Sequence, residues 1–303
     1  MSDASVAAPS GARAWFLAIR PKTLTAAAAP VLVGSACAFA AGAFEALPAA
    51  AALLGAFFLQ IGSNFANDVY DYEKGADDDA RLGPARAVQS GWITPAAMKR
   101  AMVVVFALAT LVGVYLVSVA GWPIVAIGLA SIAAAIAYTG GPYPLGYNGL
   151  GDLFVLIFFG YVAVCGTAFV LTGGVPATAW WCATAVGLLA ANILVVNNTR
   201  DEAGDRHAGK RTLVVRFGRG AARAQYIGSA LFAVATPVIL WALYGFAPTV
   251  MIACVAAVPL GAVTRKYLRA TSGPAYNAAL GATAGVLFVY SVALAACVAL
   301  AAP

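Results

Sequence analysis

The chain has 303 residues, 62% of them apolar and 10% charged, with a net charge of +6 and a mean hydropathy of +0.87. Soluble globular domains carry roughly 25% charged residues, so this composition lies far outside the soluble globular norm. Nucleic-acid binding is excluded as the reason for the positive charge, because no basic stretch with interleaved aromatics occurs.

Apolar runs of bilayer-spanning length, about 20 residues each, recur along the whole sequence. In chain order they predict nine membrane helices, over 24–42, 47–66, 98–119, 122–139, 152–172, 178–197, 225–245, 248–264 and 278–300. Lipid offers no partner to a free backbone N–H or C=O, so each run is expected to be helical. The expected fold class is all-α: a polytopic integral membrane protein with about nine transmembrane helices. Its domains are an N-terminal segment 1–23 and a single transmembrane domain 24–300. The first run ends in Ala36-Cys37-Ala38, small residues of the kind that precede a signal-peptidase cut. That run is longer than a signal-peptide core, and Arg20-Pro21-Lys22 before it belongs with the charged residues discussed below.

All eighteen Lys and Arg fall before span one or in the connections two–three, six–seven and eight–nine. With nine spans these segments share one side, which the positive-inside rule makes cytoplasmic. The expectation is a multi-pass protein of the inner (plasma) membrane, N-terminus and charged loops in the cytoplasm. The five cysteines stand singly within spans and are expected to pack as small apolar residues. His207, the only histidine, has no nucleophile beside it in sequence.

Nine of the twelve acidic residues sit in two clusters, each at the end of an apolar run. The first contains Asn64, Asn67, Asp68, Asp71, Glu73, Asp77, Asp78 and Asp79, and the second Asn197, Asn198, Asp201, Glu202 and Asp205. Residues three or four apart share a helix face. Asn64, Asp68 and Asp71 therefore point one way at the end of span two. Asn198, Asp201 and Asp205 do so at the end of span six, where Asn197 is an alternative to Asn198. Two carboxylates and an amide oxygen on each face suit Mg²⁺, a hard cation that usually shares its oxygen ligands with substrate phosphates. Ionisable groups this close to an apolar span are functional by default. The similar layout of the two clusters hints at an old duplication of a four-helix unit.

Basic residues flank both clusters: Lys22, Lys74, Arg81 and Arg86 on one side, Arg200, Arg206, Lys210 and Arg211 on the other. Carboxylates with metal between them, ringed by cations, form a receptor for a diphosphate. At the mouth of an apolar helical cavity the fitting ligand is a lipid-tailed diphosphate. Loss of diphosphate from an allylic carbon leaves a carbocation, which aromatic faces stabilise. The connection between spans four and five supplies Tyr138, Tyr143 and Tyr147, which serve either that role or an interfacial aromatic belt.

These motifs resemble those of the UbiA-type intramembrane prenyltransferases, and more narrowly the 1,4-dihydroxy-2-naphthoate polyprenyltransferases of menaquinone synthesis. The resembling pieces are Arg20-Pro21-Lys22-Thr23-Leu24, Asn64 through Asp71, Lys74-Gly75-Ala76-Asp77 and Gly83-Pro84-Ala85-Arg86. They continue with Tyr138-Thr139-Gly140-Gly141, Gly149-Leu150-Gly151-Asp152, Asn197 through Asp201, Asp205-Arg206 and Gly209 through Leu213. The resemblance implies a UbiA-like helical bundle and Mg²⁺-dependent transfer of a polyprenyl group from its diphosphate to an aromatic acid. In the naphthoate branch the prenyl group replaces the carboxyl, so CO₂ leaves and demethylmenaquinone forms. By motif position Asp68, Asp71, Asp201 and Asp205 would hold the metal, with Asn64 in support. Lys22, Lys74, Arg86, Tyr138, Asn198, Arg200 and Lys210 would bind substrate. The broad family pattern demands an acid where this chain has Gly75, with Asp77 the next acid; the naphthoate branch shares that offset. An acceptor such as 4-hydroxybenzoate is the alternative within this chemistry. An intramembrane cation transporter is the alternative outside it, although transporters place ion ligands near the bilayer midplane rather than at one face among lysines and arginines.

Overall fold

The computed structural model describes residues 9–75 and 82–303. Asp77, Asp78, Asp79 and Arg81 lie outside the described residues. Ten helices account for the architecture among the described residues. A short α1 (Ala12–Ile19) precedes α2 (Pro21–Ala40), α3 (Ala46–Glu73), α4 (Pro95–Ala120) and α5 (Pro123–Ala137). There follow α6 (Gly151–Thr172), α7 (Ala177–His207), α8 (Leu213–Tyr244), α9 (Pro248–Arg269) and α10 (Gly273–Leu300). Eight of these are long and apolar enough to cross a membrane.

The ninth expected span, α5, has 15 residues. That is about 22 Å of helix, short of a hydrocarbon core of about 30 Å. Its ends nevertheless lie at opposite ends of the bundle. Pro123 follows directly on the end of α4, whereas the Tyr138-Thr139 segment beyond its C-terminus receives the side chain of Lys74 from the end of α3. Among the described residues, eight membrane-length helices and the shorter α5 therefore run between the two ends, and α1 lies beside them. Trp181 at the start of α7 donates to the Tyr244 hydroxyl at the end of α8 (2.8 Å). The Ala247 N–H donates to the Ala301 carbonyl (2.9 Å), which puts the last turn of α10 at that same end. Residues 20–23 lie at the other end, where Asn64 reaches them.

Small residues let these helices touch backbone to backbone, the packing expected where lipid competes with side chains for contact. α6 is the clearest case. A methyl at Gly160 would lie 2.6 Å from the Ala183 carbonyl oxygen of α7, and one at Gly187 of α7 would lie 2.8 Å from that of Leu156. Gly34 of α2 presses against the backbone of Val164 in the same way. Between these contacts, Leu156–Cys165 forms wide i→i+5 turns, a π-helical stretch of the sort often found at functional sites. The cysteines behave as packing residues: Cys37, Cys165 and Cys182 are buried in one core between α2, α6 and α7.

Both acid-bearing helices run further than the apolar pattern indicated. α3 continues to Glu73 rather than stopping near 66, and α7 to His207 rather than 197. Asp68, Asp71, Asp201 and Asp205 are therefore held on rigid helix, not on loops.

Candidate active site

The two acid faces meet at the end of the bundle that carries residues 20–23, at the charged mouth of a cavity of about 1860 Å³. Asp68, Asp71, Asp201 and Asp205 all line it. Away from them its walls are apolar, with Gly113 and Val117 of α4, Ile124 and Leu129 of α5, and Phe154, Phe158 and Phe159 of α6.

Asp71 is the most heavily engaged carboxylate. One oxygen accepts from Arg86 (2.8 Å), and the other accepts from the Tyr147 hydroxyl (2.7 Å). Lys210 places its ammonium 3.9 Å from Asp71 Oδ1 and 3.8 Å from Asp205 Oδ1, so it stands between a carboxylate of each half. The same ammonium lies 4.5 Å from the centre of the Tyr147 ring, with Lys74 at 5.2 Å. Tyr147 thus orders three charged partners at once. Its carbonyl accepts from the Arg211 N–H (2.7 Å), which ties the 138–150 connection to the segment after α7. Gly149 permits that contact: its φ is +77°, and a side chain there would meet the Arg211 carbonyl at 2.6 Å.

Asp68 has a different task. Its two oxygens accept the backbone N–H groups of Ala87 and Val88, both at 3.0 Å, and so fasten the connection before α4 over the site. Arg20 reaches to 4.0 Å from the same carboxylate. Arg20 is the one non-glycine residue with positive φ among the described residues (+55°), a strained state that turns the chain between α1 and α2.

Asn64, expected to support a metal, faces the α1–α2 junction instead. Its amide donates to the Ile19 carbonyl and the Thr23 hydroxyl and accepts from Gln60, and it does not line the cavity. Asn67, one residue from the inferred face, does line it and accepts from Thr139. In the second half Arg200 grips Asp201 with two bonds (2.7 and 2.6 Å) and also donates to Asn197 and Asn277. Asn277 in turn donates to the Leu82 carbonyl, joining α10 to the connection before α4. Lys74 turns to the carbonyls of Thr139 and Gly141 (2.7 and 3.2 Å) and holds that turn in place. Lys22, Arg86, Arg200, Lys210, Tyr138 and Asn198 line the cavity, as expected for groups that meet substrate. Burial, with Asp152, Asp71 and Asp205 nearby, pushes the Tyr138 phenol up from its usual pKa. It is therefore a neutral donor at any working pH rather than a base.

Asn277 was not singled out from sequence; Arg20 was named only within its Arg20-Pro21-Lys22 motif and Tyr147 only as an aromatic face, neither with its contact to a carboxylate. Arg20-Pro21 carried a local signal, a basic residue forced before proline. Tyr147 and Asn277 act through contacts far along the chain, Tyr147 with Asp71 and Asn277 with Arg200 and Leu82. For Tyr147→Phe we expect turnover to fall about tenfold to a hundredfold, the worth of a hydrogen bond to a charged acceptor, while the ring remains under Lys210. Initial rates on membranes with matched protein levels check this; unchanged rates would remove Tyr147 from the site.

No three acidic, cysteine or histidine side chains among the described residues stand close enough to enclose a metal. The donor chemistry nonetheless suits a hard divalent cation. Carboxylate oxygens from both halves converge, and the ammonium of Lys210 already sits as a cation between two of them.

Comparison with known proteins agrees with this geometry. Residues 27–292 match the UbiA prenyltransferase family. The chain is 45% identical over 220 residues to the 1,4-dihydroxy-2-naphthoate octaprenyltransferase of Escherichia coli (strain K12), covering 71% of each chain. It is 41% identical over 214 residues to the protein of the same name from Mycobacterium tuberculosis, covering 71% of this chain and 73% of that one. Among solved structures, the apo form of a UbiA homolog from Aeropyrum pernix K1 superposes with a TM-score of 0.72 at 15% identity, covering 91% of this chain and 98% of that one. A UbiA homolog from Archaeoglobus fulgidus bound to DMAPP and Mg²⁺ gives 0.62 at 16% identity, over 93% and 99%. Bundle, cavity and sequence point the same way: this chain belongs to the UbiA prenyltransferase family of integral membrane proteins.

Proposed function

We propose that the protein transfers a polyprenyl group from polyprenyl diphosphate to 1,4-dihydroxy-2-naphthoate, with loss of CO₂ and diphosphate, to give demethylmenaquinone in its reduced, quinol form. The observation that carries the reading is the convergence of Asp71 and Asp205 on one cation position at the mouth of a long apolar cavity. The acceptor is taken from the naphthoate octaprenyltransferases that the chain resembles.

Asp71 and Asp205, with Asp201 beside them, would hold Mg²⁺. When bound, that ion neutralises charge building on the departing diphosphate. Lys22, Arg86 and Lys210 bind the remaining diphosphate oxygens from the cavity wall. Arg200 keeps Asp201 oriented through its two hydrogen bonds. The apolar cavity receives the prenyl chain and keeps water from an allylic cation that water would otherwise quench. Tyr147 and Phe158 present aromatic faces to the same space. Carbon–carbon bond formation at the carboxyl-bearing carbon is followed by departure of CO₂, whose bonding electrons return to the naphthalene ring. The basic residues gathered at the site end support a reading in which that end faces the cytoplasm at the plasma membrane.

Purified protein supplied with octaprenyl diphosphate and Mg²⁺ is expected to prenylate the dihydroxynaphthoate in preference to 4-hydroxybenzoate. Excess chelator should abolish transfer and added Mg²⁺ restore it. Full activity in chelator would exclude the metal, and preference for the benzoate would move the protein to another branch.

A further inference from the structure

We infer that Asn198 and Tyr138 form the seat of the aromatic acceptor, hydrogen-bonding its ring hydroxyl just inside the charged rim; this rests on the prenyl-transfer reading above.

Asn198 is 8% exposed and lines the cavity, yet no hydrogen bond engages its amide among the described residues. Most of its polar neighbours on α7 are engaged, while the Oδ1 of Asn192 is buried without a partner among the described residues, away from the cavity lining. Asn192 donates to the Tyr226 carbonyl, Asn197 accepts from Arg200, and Thr199 bonds Val195 and Tyr267. Asp201 is held by Arg200 and Asp205 faces Lys210. The Asn198 amide atoms are not sealed off but keep access to the cavity, so an amide held on a rigid helix can give and take a hydrogen bond with a ligand there.

Tyr138 supplies the second group. Its hydroxyl lies beside Leu194, one helical turn before Asn198: a methyl at Gly151 would touch both, at 2.8 Å from the hydroxyl and 3.0 Å from Leu194 Cδ2. Leu194 and Asn198, four residues apart, share a face of α7, and both line the cavity. Phe154 and Phe158 stand on the same cavity wall as a near-parallel pair, 5.9 Å apart at 19°.

The chemistry of the three possible occupants selects one. A diphosphate calls for cations, which are clustered at the rim, and a prenyl chain has nothing to hydrogen-bond. A planar hydroxyaromatic matches a neutral amide, a neutral phenol and a flat aromatic wall together. The acceptor hydroxyl then stands between the aspartates and the apolar cavity, where an allylic carbon emerging from the diphosphate site can meet the ring.

The test is equilibrium binding of 1-hydroxy-2-naphthoate, followed by its own fluorescence, to detergent-solubilised wild type, Asn198→Ala and Tyr138→Phe. KM values for acceptor and for prenyl diphosphate, and the Mg²⁺ concentration giving half-maximal rate, are measured alongside. We expect each variant to bind the probe at least tenfold more weakly and to raise the acceptor KM to match, with the diphosphate KM within twofold of wild type. Equal probe binding by wild type and variants, while wild type still prenylates the naphthoate, would overturn this seat and leave the prenyl-transfer reading standing. A raised Mg²⁺ requirement with unchanged acceptor KM would make Asn198 a metal ligand and also overturn it. Wild type that neither binds the probe nor prenylates a naphthoate would remove the reading on which the seat depends.

Discussion

Replacing Asp71 by Asn is expected to lower kcat/KM by about a thousandfold, because metal-held leaving-group charge supplies several kcal/mol of the barrier reduction. Asparagine keeps the shape and can still accept from Tyr147, so the change is chiefly one of charge. Arg86 and Lys210 would then face a neutral amide where they now face a carboxylate. Asp205→Asn should fall into the same range, since it shares the Lys210 ammonium with Asp71 from the opposite half of the bundle. The double variant should lose little more than either single one, because the two carboxylates act as one site. Rates measured on membranes with matched protein levels decide this. Near-normal turnover in either single variant would mean that the cation position between them is not the reacting centre.

Asp68→Ala is expected to abolish turnover at least a hundredfold by a different route. Its carboxylate is spent on the backbone of Ala87 and Val88, so the loss releases the connection that carries Arg86 to Asp71. Two buried N–H groups would be left unsatisfied, at about 1–3 kcal/mol each. Limited proteolysis separates the two aspartates. Asp68→Ala should be cut between 82 and 94 much faster than wild type, whereas Asp71→Asn should resist as wild type does. Unchanged cleavage with lost activity would return Asp68 to the role of direct ligand that its motif position implied.

That contrast marks what the sequence could carry. Hydropathy located the eight helices long enough to cross a membrane and the shorter α5, because lipid demands apolar, helical segments near its own thickness. The spacing Asp68–Asp71 and Asp201–Asp205 placed the carboxylates on common faces because helix periodicity is local. Sorting those carboxylates was not legible, since it depends on contacts such as Val88 with Asp68 and Tyr147 with Asp71, formed by connections with no periodic pattern. Asn64 and Asn67 show the limit within a single turn. Both were in the cluster, and only the packing of α1 against α3 turns Asn64 away from the cavity and leaves Asn67 in it. The π-helical stretch of α6 was likewise hidden, because Leu156–Cys165 is an almost wholly apolar run, and its close backbone contacts with Gly34 and Gly187 carry no local signal.

The measurement that bears most directly on the function uses dihydroxynaphthoate labelled in its carboxyl carbon, octaprenyl diphosphate, Mg²⁺ and the purified protein. One labelled CO₂ should be released for each prenylated naphthoquinol formed, with none when prenyl diphosphate is omitted. A prenylated product that retained the label, or an absence of product alongside efficient prenylation of 4-hydroxybenzoate, would contradict the proposed reaction.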